Sequence, residues 1–275
     1  MRKRLGAVTA LICLIAAGAA GAAYAAGPVT GGPNTYTGAM SVAGGAGTRA
    51  KPATVALTEN YGMGSTTSGN VGAPLVVIKS RMYGLAAPNA KYFATCTANK
   101  INQGNGNNGK WNGVCPKASL VGRGTVLATL TSPTVNLAGP GASCNLVLWV
   151  YNGGPGKLTY FFTTTPARCD GLQTGAAAAW TGTVSQAGKY LVTNTPEPPD
   201  VSYNAGNVGL FGSLVSEVVK FKKATVKHAG KTLPFIESIG CSKHARPFTI
   251  TYTATDSNSG SPTVGSGTVS GSARC

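Results

Sequence analysis

Acidic side chains are scarce: seven Asp and Glu stand against 23 Lys and Arg in 275 residues. The whole supply is Glu59, Asp170, Glu197, Asp200, Glu217, Glu237 and Asp256. No two of them form the close pair on one strand that many glycosidases carry, so an acid/base pair would have to be assembled by the fold. Histidine is scarcer still, with only His228 and His244, and no Gly-x-Ser-x-Gly elbow supplies an activated serine. A zinc site made from Cys241, His228 and His244 lacks a fourth ligand and any standard spacing. The run Asp256-Ser257-Asn258-Ser259-Gly260 alternates oxygen ligands, but no carboxylate follows Asp256, so it reads as a turn and not a calcium loop. We therefore expect no catalytic residue, no metal and no cofactor.

Long apolar runs are also missing, except at the start. Arg2, Lys3 and Arg4 precede an apolar stretch over residues 5–20, and Ala23-Tyr24-Ala25 offers a small-residue cleavage site. The stretch falls short of the ~20 residues of a spanning helix. Residues 1–25 are thus expected to be a signal peptide cleaved after Ala25, leaving 250 residues outside the cell with no membrane anchor. Cys13 lacks the small preceding residue of a lipoprotein, and no Arg-Arg pair marks twin-arginine export.

Six cysteines remain beyond Cys13: Cys96, Cys115, Cys144, Cys169, Cys241 and Cys275. An even number behind an export signal implies three disulfides in an oxidising compartment. Cys144 and Cys169 flank two apolar runs joined by a Gly-Pro turn, and Cys241 and Cys275 flank a similar segment. Pairing in chain order, 96–115, 144–169 and 241–275, would clamp the open ends of hairpins.

Short runs rich in Val, Thr, Tyr and Phe, separated by Gly, Pro and Asn, read as strands. They fall at 54–58, 74–79, 90–97, 119–130, 145–151, 158–165, 179–185, 190–193, 225–227, 232–237, 247–254 and 263–270. The segment 209–221 mixes two periods, and its β-branched residues favour a strand. Turns are expected at 152–156, at Ala229-Gly230 and at 256–260. Residues 26–50, dominated by Gly, Ala, Thr and Pro, are expected to be a flexible, disordered leader. The Pro-rich stretch 195–200 is read as a crossover inside one domain rather than a boundary. The expected fold is all-β: a single antiparallel β-sandwich of jelly-roll or Greek-key type over 51–275, stapled by disulfides.

The segment Cys115-Pro116-Lys117-Ala118-Ser119-Leu120-Val121-Gly122-Arg123-Gly124-Thr125 has a Cys-Pro start and a Val-Gly-x-Gly-Thr end. Together with Tyr151-Asn152-Gly153, the Gly-Leu-Phe-Gly-Ser-Leu run at 209–214, Ser238-Ile239-Gly240-Cys241 and the terminal Cys275, it resembles a group of secreted, uncharacterised actinobacterial proteins over residues 90–275. The resemblance implies a disulfide-bearing β-sandwich and no activity.

Formal charge is +16, or +13 once Arg2, Lys3 and Arg4 are removed, and such a balance favours polyanionic partners. Two features offer binding. Residues 220–246 carry Lys220, Lys222, Lys223, Lys227, Lys231, Lys243 and Arg246 against Glu237 alone, with Phe221, Phe235 and Phe248 interleaved. The loop 101–114 sets Asn105 and Asn108 beside Trp111, an aromatic platform with amides of the kind that holds sugars. Trp149 and Trp180 sit in strand patterns and read as core. The function expected is non-enzymatic, structural or binding, at the cell surface or outside, toward an anionic wall polymer or polysaccharide. A secreted carbohydrate-active enzyme is the alternative, and nucleic-acid binding through 220–246 a third, less favoured reading.

Overall fold

Along residues 245–255 the chain buries alternate side chains. Arg246, Phe248, Ile250, Tyr252 and Ala254 turn inward, while Pro247, Thr249, Thr251 and Thr253 stay half-exposed. Period-two alternation of this kind is what a strand with one buried face requires. It recurs through the computed structural model, which describes residues 23–25, 27–105, 113–131, 142–169, 178–197, 211–255 and 263–275. Strands among them are β1 (Ala23–Ala25), β2 (Val29–Gly31), β3 (Asn34–Gly44), β4 (Ala53–Ser65), β5 (Leu75–Tyr83), β6 (Leu85–Ala86), β7 (Leu120–Thr131) and β8 (Ala142–Gly154). They continue as β9 (Lys157–Thr163), β10 (Trp180–Ala187), β11 (Tyr190–Pro196), β12 (Phe211–Phe221), β13 (Thr225–His228), β14 (Lys231–Pro234), β15 (Glu237–Ser238), β16 (Ala245–Thr255) and β17 (Thr263–Arg274).

Every ladder among the described residues is antiparallel. The main strands follow one hydrogen-bonded path: β3-β4-β12-β7-β8-β9-β10-β11-β5-β16-β17. The path curls until its ends meet. Tyr36 of β3 stacks on Tyr252 of β16 with ring centroids 4.8 Å apart. The close approach of β2 to β17 is made by Gly31 and Gly265, where a Cβ on either would strike the backbone of the other strand. The molecule is thus a mostly β, nearly closed barrel-like sheet, and the expected division into two facing sheets is not distinct. Alternation of inward and outward residues is common to barrels and sandwiches, so the pattern alone did not separate them.

Residues 29–44, expected within a disordered leader, instead form β2 and β3. Tyr36, Met40 and Val42 are buried at even positions of β3. Gly38 takes the fourth, where an added Cβ would lie 2.6 Å from Ile250 Cδ1 and 3.0 Å from Tyr252 Oη. Gly38, one of the small residues that made this segment resemble a linker, admits large side chains from across the barrel. A second correction concerns 90–97, expected as a strand. It is a 3-10 turn at Ala90–Tyr92 followed by irregular chain, and then helix α1 (Ala98–Asn105). Ala98 and Ile101 of that helix pack with Tyr151 and Phe161 on the outside of the barrel.

The remaining strand expectations, including the ambiguous 209–221, coincide with β4, β5, β7–β14, β16 and β17. Cys96–Cys115, Cys144–Cys169 and Cys241–Cys275 are bonded, in the expected order. The turn at 256–260 lies outside the described residues. No helix among the described residues is long and apolar enough to cross a membrane.

Candidate functional site

The described carboxylic acids are withdrawn from the outer surface. Glu59, Glu217 and Glu237 are 2%, 6% and 9% exposed, and Glu197 is half-buried. Asp170, Asp200 and Asp256 lie outside the described residues. By contrast, the described Lys and Arg side chains are exposed apart from the buried Arg246 and the half-buried Arg168. Among the described residues the two signs are thus sorted, acids buried or half-buried and cations mostly exposed.

Register explains the inner set. Glu59 and Tyr61 lie on one face of β4, and Glu217 of β12 stands opposite Tyr61. The Ser80 hydroxyl of β5 donates to Glu59 Oε1 at 2.8 Å, and Ser80 Oγ is 2.6 Å from Thr193 Oγ1 of β11. The Thr195 hydroxyl donates to Tyr160 at 3.0 Å. Burial drives each carboxyl toward its neutral form. The Glu59 pKa is raised, against hydrogen bonds from Tyr61 and Ser80 that favour the carboxylate. The Glu217 pKa is raised well above the ordinary range by burial and then by Glu197 and Glu59, and that of Glu197 is raised to about 8 by burial. Three carboxyl groups distant in sequence thus converge inside the wall.

On the outer surface, the basic segment divides. Lys220 points out from β12, opposite Arg123 of β7, whose guanidinium carbon lies 4.3 Å from the centroid of the Trp149 ring. Lys222 and Lys223 line a cleft of about 310 Å³ together with Phe93, Ala118, Ala224 and Val226. Beyond it stands the β13–β14 hairpin. Its turn, Ala229-Gly230, holds both residues at positive φ (47° and 74°), as a two-residue hairpin loop of this hand requires. Lys227 and Lys231 are exposed on it. His228, directly across from Lys231, stacks on Tyr92 with ring centroids 4.1 Å apart, and Lys91 Nζ lies 5.0 Å from the centroid of the Tyr92 ring. The Asn89 side chain donates to Pro234 O at 3.0 Å, tying the hairpin base to the barrel.

Residues 220–246 are therefore not one continuous phosphate-tracking face. Phe221, Phe235 and Phe248 are core, and Arg246 is 1% exposed. Arg246 donates to Gly84 O (3.0 Å), Gly240 O (2.7 Å) and Ser238 Oγ (2.7 Å), knitting the end of the barrel. Cys241, once weighed as a zinc ligand, is bonded to Cys275. Trp111 and Asn108 lie outside the described residues, and Asn105 is described only as the last residue of α1. Trp180 is in the core, whereas Trp149 is half-buried on the outer wall and donates to Thr163 Oγ1 at 2.9 Å.

A second cationic group escaped the sequence reading: Lys79 and Arg81 on β5, with Lys189 beside β11. Their signal was present in Lys79-Ser80-Arg81-Met82-Tyr83, where charged or aromatic residues alternate with Ser80 and Met82, both 1% exposed. Searches with this chain match no protein-family model, no curated protein and no solved structure.

Proposed function

We propose that this chain is an exported, non-enzymatic binding protein for anionic polymers of the cell surface or its surroundings. The observation that carries the reading is the sorting of charge. The described acids are buried or half-buried while the described Lys and Arg are mostly exposed, so among the described residues the outer surface presents its positive charge with little acidic counterpart. Such a surface attracts polyanions over a Debye length and holds them through multiple weak contacts. The cleft at Lys222 and Lys223, with the hairpin lysines Lys227 and Lys231 beside it, is where several cations meet a concave surface of mixed polar and apolar lining.

Export belongs to the same reading. Three disulfides suit an oxidising, extracellular compartment, and the basic, apolar start of the chain suits a signal peptide cleaved after Ala25. Among the described residues, the carboxyls that lie near one another are Glu59, Glu197 and Glu217, on the inner side of the wall, where burial favours their neutral forms.

The test is chromatography of the mature protein on polyanionic and neutral matrices at rising salt. Retention by polyphosphate and polygalacturonate that falls steeply with salt, and no retention on dextran, is the expected result. Replacing Lys222, Lys223, Lys227 and Lys231 together with Gln should advance elution from polyphosphate. Equal retention on neutral and anionic matrices would overturn the reading.

A further inference from the structure

The outward face of β17, β16, β5 and β11 combines three features. First, it is a hydroxyl grid. Ser266, Thr268 and Ser270 on β17 stand opposite Thr253, Thr251 and Thr249 on β16. Thr251 and Thr268 are bonded through their hydroxyls at 3.0 Å. Second, the next strand brings cations into the same rows: Lys79 stands beside Thr251, and Arg81 beside Thr249. Asn194 of β11 continues the Lys79 row. Third, the guanidinium of Arg81 lies over the Tyr190 ring, 4.1 Å from its centroid. Tyr190 meets Tyr83 edge-on at 5.3 Å, and Lys189 Nζ lies 5.9 Å from the Tyr83 centroid.

Lysines on strands commonly guard sheet edges against aggregation. That reason fails here, because β5 lies between β11 and β16 and has no open edge. Lys79 and Arg81 are two residues apart on one strand, so their charged groups project from positions ~7 Å apart and repel. None of the described acids relieves them, since Glu59, Glu197 and Glu217 group together on the inner side of the wall. Stacking on Tyr190 restricts the Arg81 side chain, so little of its freedom remains to be lost on binding, and its planar fork of donors suits a carboxylate in two-point contact. Hydroxyls that both donate and accept, in flat rows, suit the hydroxyl edges of sugars.

We propose that this face is a second binding site, which takes an extended, carboxylate-bearing polysaccharide. Its carboxylates lie at Arg81 and Lys79, and its hydroxyls at the Thr and Ser rows of β16 and β17. A single-stranded nucleic acid fits less well, because the aromatic rings on this face are already covered by Arg81 and Lys189, leaving no free platform for bases. The proposal rests on the polyanion reading above and names a ligand class and location within it.

The test is titration of the mature, disulfide-bonded protein with oligogalacturonate. The double variant Lys79→Gln/Arg81→Gln should weaken binding ~100-fold, the worth of two lost charge-assisted pairs. Arg81→Lys keeps the charge but loses the fork, and should recover only part of that loss. Thr251→Val should weaken binding a few-fold, ~2–5-fold for one hydroxyl. The variant lacking Lys222, Lys223, Lys227 and Lys231 should bind oligogalacturonate within about twofold of wild type, allowing for long-range charge. All these side chains point outward, so unchanged thermal melting serves as the folding control. Undiminished affinity in the Lys79/Arg81 double variant would overturn the proposal, as would equal binding of the methyl-esterified oligomer or complete displacement by oligothymidylate. If only the hairpin variant loses binding, this site fails and the broader reading stands; if wild type binds no polyanion, both fail.

Discussion

Ser80 of β5 donates a 2.8 Å hydrogen bond to the carboxyl of Glu59 on β4, a strand seven steps away along the hydrogen-bonded path of the sheet. The bond crosses the barrel interior and couples wall stability to the protonation of a buried acid. Glu59, Glu217 and Glu197 all hold their protons more tightly in the folded state than the ~4.3 of an unfolded glutamate. In that interval the folded chain binds more protons than the unfolded one, so stability falls as pH rises. We expect the melting temperature to be highest near pH 4–5 and to decline toward pH 8, the region to which Glu197 is raised. Glu217→Gln should flatten this decline, and scanning calorimetry across pH measures it; a melting temperature that climbs from pH 5 to pH 8 would contradict the sorting of acids inward.

Interior glycines make room for aromatic rings. A Cβ at Gly182 on β10 would lie 2.7 Å from Tyr160 Cε2 and 2.8 Å from Asn194 O. Gly182→Ala should therefore destabilise by ~1–3 kcal/mol, although alanine is the smaller entropic burden on the chain. Urea unfolding gives the value. The same change at Gly188, a surface turn where a Cβ would meet nothing within 4 Å but φ is 62°, tests backbone strain alone.

Arg246 is a buried cation serving three acceptors. Arg246→Met removes the charge yet keeps much of the side-chain volume; Gly240 O and Ser238 Oγ lose this donor, while Gly84 O keeps the Ile239 N–H at 2.8 Å. Each acceptor deprived of a partner in a buried setting costs ~1–3 kcal/mol. We expect a loss of several kcal/mol by equilibrium denaturation, with faster amide exchange at Gly84 and Gly240.

The Cys241–Cys275 bond ties the end of the last hairpin, where the Cys275 amide also donates to His244 O at 3.1 Å. Replacing both cysteines with serine should cost roughly 2–4 kcal/mol. Exchange should rise at 245–248 and 271–274 while the β7–β8 ladder keeps its protection. Non-reducing peptide mapping of the wild type should recover the three expected pairs.

Much of this protein was legible locally. Alternation named most strands, Gly and Pro marked their turns, and the order of cysteines along the hairpins yielded all three bonds. Each of these depends on residues close in sequence, where period and turn chemistry act directly. β3 was missed because small residues dominate it and one inward position is Gly38, whose purpose appears only when Ile250 and Tyr252 arrive from β16.

What the tertiary structure alone decided is which distant residues share a space. Closure of the sheet set Glu59, Glu197 and Glu217 together, although more than a hundred positions separate Glu59 from the others. It also split the 220–246 run into core and surface and laid Lys79 and Arg81 beside the threonines of β16. Register between strands is set by long-range pairing around the whole sheet, and a one-residue shift would have sent every one of these side chains to the opposite face.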